Sequence, residues 1–143
     1  MASVHDVAAY IIRKLGPTSA MKLQKLVYYA QAWSLVWEER PLFKARIEAW
    51  ANGPVVPALY QRHRGSFEIR RWTFGDADAI GPDDQSTINA VIKFYGHRSP
   101  QWLSDLTHME APWIKARKGV SPGNTCTNEI TVESMAEYYG SLS

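Results

Sequence analysis

The stretch KLQKLVYYAQAWSLVW, from Lys22 to Trp37, constrains the fold more than any other part of the chain. Set at about 100° per residue, its aliphatic and aromatic side chains point in most directions. Gln24, Gln31, Ser34 and Glu38, with Val27 among them, share one narrow sector. A helix that is apolar nearly all round must be enclosed by other elements. The spacing therefore predicts a central helix capped by Thr18 or Ser19, ending at about Trp37 or Glu38, with its rings in the core. Lys22 and Lys25 are expected to lay their stems over apolar surface and reach water. The polar sector is the side left to face solvent or a partner.

The remaining segments supply the enclosure. Val4, Val7, Ala8, Ile11, Ile12 and Leu15 recur at three and four, predicting an amphipathic helix capped by Ser3 and ended by Gly16-Pro17. From Pro41 to Asn52 the chain reads as an extended segment or one helical turn. GPVVP, Gly53 to Pro57, predicts a rigid corner, since Pro54 keeps Gly53 out of helical geometry and Pro57 suits a first helical turn. ALYQRHRG then gives about two helical turns ended by Gly65, and FEIRRWTF, Phe67 to Phe74, reads as a strand or extended arm. GDADAIGPDD is the main loop, with Asp83 or Asp84 capping a helix that carries Ile88, Val91, Ile92 and Tyr95 on one face. Ser99-Pro100 opens a short helix, APWIKARKG another from Ala111, and Thr131 caps a last one. The expected fold is mainly α: one domain over residues 1–143, six to seven helices around the central one, and at most a minor β-hairpin or arm.

Composition narrows function by exclusion. A net charge of +2 and a pI near 8.7 do not describe a dedicated phosphate-binding surface. The single cysteine, Cys126, permits no internal disulfide and fits a reducing compartment. No segment is long and apolar enough to span a bilayer, and the first residues lack a secretory pattern, so the expected location is the cytoplasm. His5, His63, His97 and His108 show no metal-ligand spacing, and GPDDQS and RKGVSPGN are not phosphate loops. Glu38-Glu39 and Asp83-Asp84 are adjacent carboxylates that diverge on a helix, which is poor geometry for acid–base work. No catalytic, cofactor or metal residue is expected.

One mixture invites a partner. Arg62, Arg64, Arg70 and Arg71 interleave with Tyr60, Phe67 and Trp72. Such a mixture suits single-stranded nucleic acid, a protein-binding rim, or an ordinary solvated segment. Lys115, Arg117 and Lys118 fall in the last turn of a predicted helix, where cations favour its dipole.

Three segments, MKLQKLVYYAQAW (Met21 to Trp33), IEAWANGPVVPALY (Ile47 to Tyr60) and WLSDLTHMEAPWIKAR (Trp102 to Arg117), in this order and spacing, resemble the Panacea domain, also called the antitoxin SocA-like or phage-associated GepA-like domain. The resemblance implies a mainly helical domain that neutralises a toxin encoded beside it in bacterial and phage genomes. It also implies direct protein binding, or delivery of the toxin to a ClpXP-type protease. The matching residues Leu23, Lys25, Leu26, Tyr28, Tyr29, Gln31, Trp50, Gly53, Pro54, Val55, Tyr60, His108, Pro112 and Trp113 are read as structural, the corner residues either locking onto the central helix or presenting a surface. Arg62, Arg64, Arg70, Arg71, Trp72 and Phe74 are the expected partner contacts. The competing expectation is a nucleic-acid-binding regulator acting on its own operon.

Overall fold

The computed structural model describes every residue from Met1 to Ser143 and is mainly helical. Helix α1, Val4–Leu15, opens with a reciprocal box: the Ser3 hydroxyl and Asp6 carboxylate satisfy backbone N–H groups that the first turn leaves unpaired. A two-residue strand, β1 (Thr18–Ser19), leads into α2, Ala20–Trp37, whose first turn is capped by Ser19. Strands β2 (Glu48–Trp50) and β3 (Gly53–Val55) follow, then α3 (Pro57–His63) and β4 (Glu68–Ile69). After a 3-10 turn at Ala77–Ala79 come α4 (Pro82–Tyr95), α5 (Pro100–His108), α6 (Ala111–Ala116) and α7 (Val132–Ser141). Helix α2 is central as expected, packed by α1, α4, α5, α7 and β3.

Four local expectations are revised or narrowed. The Gly53–Pro57 corner is one arm of an antiparallel hairpin, with Glu48 opposite Val55 and Trp50 opposite Gly53. Gly53 sits at φ +122°, a conformation that side chains oppose. The Phe67–Phe74 segment, expected as a strand or an extended arm, is a strand at Glu68–Ile69, where β4 pairs antiparallel with β1, and is no free arm beyond it, because Trp72 is buried against His5, to whose Nδ1 its indole N–H donates. Gly81, not an aspartate, precedes α4; Asp83 and Asp84 stand in its first turn, favoured there by the helix dipole. Arg117 does not serve the end of its helix: it is buried, donating to the carbonyls of Ala49, Ser121 and Asn124.

The polar sector of α2 is mostly buried, with Glu38 at its end half-buried. Gln31 is buried, accepting from the N–H groups of Leu42 and Phe43 and donating to the Phe43 carbonyl. Gln24 makes the same two-way exchange with the backbone of Val56, and the Ser34 hydroxyl donates to the Arg40 carbonyl. Buried irregular backbone needs such partners, and α2 supplies them. Lys25 also departs from expectation: it is 2% exposed, almost wholly enclosed.

Candidate interaction surfaces

Most of the residues matched to the second sequence segment converge at the hairpin. Trp50 meets Tyr60 edge to face, ring centres 4.9 Å apart, and the Trp50 indole N–H donates to Glu48. From the other side, the Trp113 indole donates to the Trp50 carbonyl at 2.9 Å, and His108 Nε2 lies 3.1 Å from the Ala51 carbonyl. Leu23, Leu26, Tyr28, Tyr29, Gly53, Pro54 and Pro112 are buried, while Trp50, Val55, Tyr60, His108 and Trp113 are half-buried. Between the hairpin, α3 and the start of α2 lies a cleft of about 360 Å³, with Lys25, His63 and Cys126 in its lining.

A second depression, about 860 Å³, opens between the end of α2, α4 and α5. Trp33 and Trp37 stack along one wall with centres 5.1 Å apart, and Trp37, Phe94, Trp102 and Leu142 are exposed around it. The Arg98 guanidinium lies 4.4 Å over the Trp102 ring, and its Nε is buried without a hydrogen-bond partner. Glu110 reaches this groove from beneath. Its Oε1 accepts from Tyr29 and Tyr139, each at 2.7 Å, and the Tyr28 hydroxyl lies 3.0 Å from that of Tyr139. Tyr29 stacks on Tyr95 at 4.1 Å, and Trp33 donates to the Tyr95 hydroxyl. Burial pushes the Glu110 carboxyl above its usual range, against the pull of the two phenols; it also raises the Tyr28, Tyr29 and Tyr139 phenols and takes Tyr95 to about 12.

The expected contact residues differ in exposure. Arg62, Arg64, Arg70, Arg71 and Phe74 are exposed, with Arg62 4.9 Å over the Phe74 ring, and Arg70 pairs with Glu68 at 2.9 Å. Trp72 is withdrawn into the core, so Phe67, 86% exposed, and Phe74 are the rings left on this segment. The groove was missed by sequence reasoning, although a signal existed: Phe94 and Trp102 are large rings beside Lys93 and Gln101, on the polar sides of their helices. No group of three His, Cys, Asp or Glu side chains is placed to hold a metal ion, and no helix is long and apolar enough to cross a membrane.

The chain is a mainly helical frame around one enclosed helix, with a glycine hairpin and an open aromatic groove. Residues 23–114 match the family described as "Antitoxin SocA-like, Panacea domain", and the chain belongs to that family. Over 45 residues it is 47% identical to a protein named Antitoxin SocA from Caulobacter vibrioides (strain NA1000 / CB15N), a match covering 32% of this chain and 24% of that relative. No solved structure matches the chain.

Proposed function

We propose that this protein is an antitoxin that silences a toxin encoded by a neighbouring gene, by direct protein–protein binding and without catalysis of its own. Membership of the antitoxin family supports the class of activity. The observation that carries the binding reading is the groove rimmed by Trp37, 48% exposed, and Phe94, 61% exposed. Rigid aromatic anchors held on helices, beside an arginine, are what protein interfaces concentrate at their centres. An isolated exposed ring is ordinary, but several around one depression mark a contact surface. The segment bearing Arg62, Arg64, Arg70, Arg71 and Phe74 is a second face for the same partner. A nucleic-acid role for that segment is the weaker reading, since Arg70 is engaged by Glu68 and Trp72 is absent from the surface.

The test is growth of cells expressing the neighbouring open reading frame, with and without this protein, followed by co-purification. Rescue with a stable complex is expected, lost in the double variant Trp37→Ala, Phe94→Ser and weakened by Arg70→Ala, Arg71→Ala. Rescue accompanied by disappearance of the neighbour's product would assign neutralisation to delivery to a ClpXP-type protease. Absence of toxicity, with salt-dependent binding to the operon's DNA that Arg70→Ala and Arg71→Ala weaken, would replace the antitoxin reading with the regulator.

A further inference from the structure

Lys25 is the least explained charge in the molecule. It is buried to 2% exposure and takes part in none of the five ion pairs. No neighbouring charge offsets its desolvation, which pulls the amine down to about 8. A buried ammonium without a partner is unfavourable by more than a well-packed apolar residue would be, so its place calls for a counter-charge. The space around it is specific. A Cβ on Gly53 would fall 2.7 Å from Lys25 Cε and 3.0 Å from Nζ, so the lysine head occupies room that only a glycine leaves.

Around this head the cleft walls are largely apolar, from Met21, Trp50, Val55 and Tyr60. Two polar side chains of the lining are already engaged. Gln24 is spent on the Val56 backbone and on His63 Nε2, 3.0 Å away, and the Trp50 indole N–H on Glu48. Burial lowers the His63 imidazole, so it adds little positive charge at neutral pH. One cation in an aromatic-walled cleft matches one negative charge on a flat apolar body. Lys25 is the one lysine or arginine in the lining, and a phosphate dianion would call for more positive charge. Its volume, about 360 Å³, falls within the range of small-ligand sites.

We propose that this cleft is a binding site for a monocarboxylate with an aromatic or apolar body, its carboxylate paired with Lys25 and its body laid against the wall that Met21, Trp50, Val55 and Tyr60 form. The carboxylate is either a free organic acid or an acidic side chain inserted by a protein partner.

Phenylacetate and its neutral analogue phenylacetamide are the probes, followed through the Trp50 indole N–H resonance, assigned by its loss in Trp50→Phe. Phenylacetate should shift that resonance saturably with a Kd on the order of 1 mM, and phenylacetamide should bind about tenfold or more weakly. Lys25→Met, of similar length and uncharged, should abolish the phenylacetate response while keeping a dispersed spectrum. Equal binding of the two probes, no response to phenylacetate, or an undiminished response in folded Lys25→Met overturns the proposal. Should Lys25→Met fail to fold, the contrast between probes on the unaltered chain decides alone. None of these readouts involves a toxin, so they stand or fall separately from the antitoxin reading. With the site established, the growth-rescue assay on Lys25→Met separates the sources: lost rescue assigns the carboxylate to the partner protein, and kept rescue to a free acid.

Discussion

At the scale of single residues, the buried ionisable groups give the sharpest expectations. Glu110 titrates above 4.5 in the folded chain because burial disfavours its charge, so the folded state holds a proton that the unfolded state has released. That contribution to stability is whole below the unfolded value and is lost as pH rises through the folded one. Glu110→Gln, still able to accept from Tyr29 and Tyr139, should therefore gain in melting temperature over the unaltered protein as pH rises from 4.5 to neutrality. A gap that stays constant with pH would show that the carboxyl titrates normally. Lys25 behaves oppositely. With its amine near 8 when folded against 10.5 when free, the unfolded chain binds the extra proton between those values, and stability rises with pH across that window. The gain should amount to roughly 3 kcal/mol and vanish in Lys25→Met, measured as the difference between urea midpoints of the two proteins. Tyr28, fully enclosed between Tyr29 and Tyr139, tolerates no charge, and Tyr28→Asp should yield unfolded or insoluble protein. A soluble variant with native circular dichroism would contradict the central position of α2.

At the scale of elements, what was legible in the sequence was local. Ser3, Ser19, Ser99 and Thr131 each cap the helix expected of them, because a cap is decided within three residues of chain. The hairpin was misread as a corner because strand pairing depends on partners, and three residues on either side carry too short a pattern to announce it. The glutamines of α2 were misread for a related reason. Their spacing marks a polar stripe, but nothing local says that the stripe will meet backbone 11 or 32 residues further along. The groove escaped notice since its rings come from three helices, and Glu110 since its tyrosines lie 81 and 29 residues away. Gln31→Leu should expose this architecture. It strips partners from the N–H groups of Leu42 and Phe43 and from the Phe43 carbonyl, and should cost about 3 kcal/mol or more by chemical denaturation. Gly53→Ala combines a strained φ with the clash against Lys25, and should destabilise by about 2 kcal/mol. Only part of that loss should be recovered in Gly53→Ala, Lys25→Ala, since the backbone strain remains.

At the scale of the whole molecule, thirty buried residues form one hydrophobic cluster running from Val4 to Tyr139. The two ends of the chain meet across α2, so the protein should unfold in a single cooperative transition with coincident fluorescence and circular-dichroism curves. Separate transitions would divide the chain into independent units. The way α2 holds its surroundings has a consequence for how such a protein can diversify. Gln24 and Gln31 grip amide and carbonyl groups of Leu42, Phe43 and Val56, groups that every amino acid except proline carries in full. The route of the chain through these segments is therefore written in the helix and not in the segments themselves. An outward-facing neighbour such as Lys44 is free to be exchanged while the path stays the same. A lineage under pressure to meet new adversaries can alter its exterior one residue at a time without renegotiating its interior.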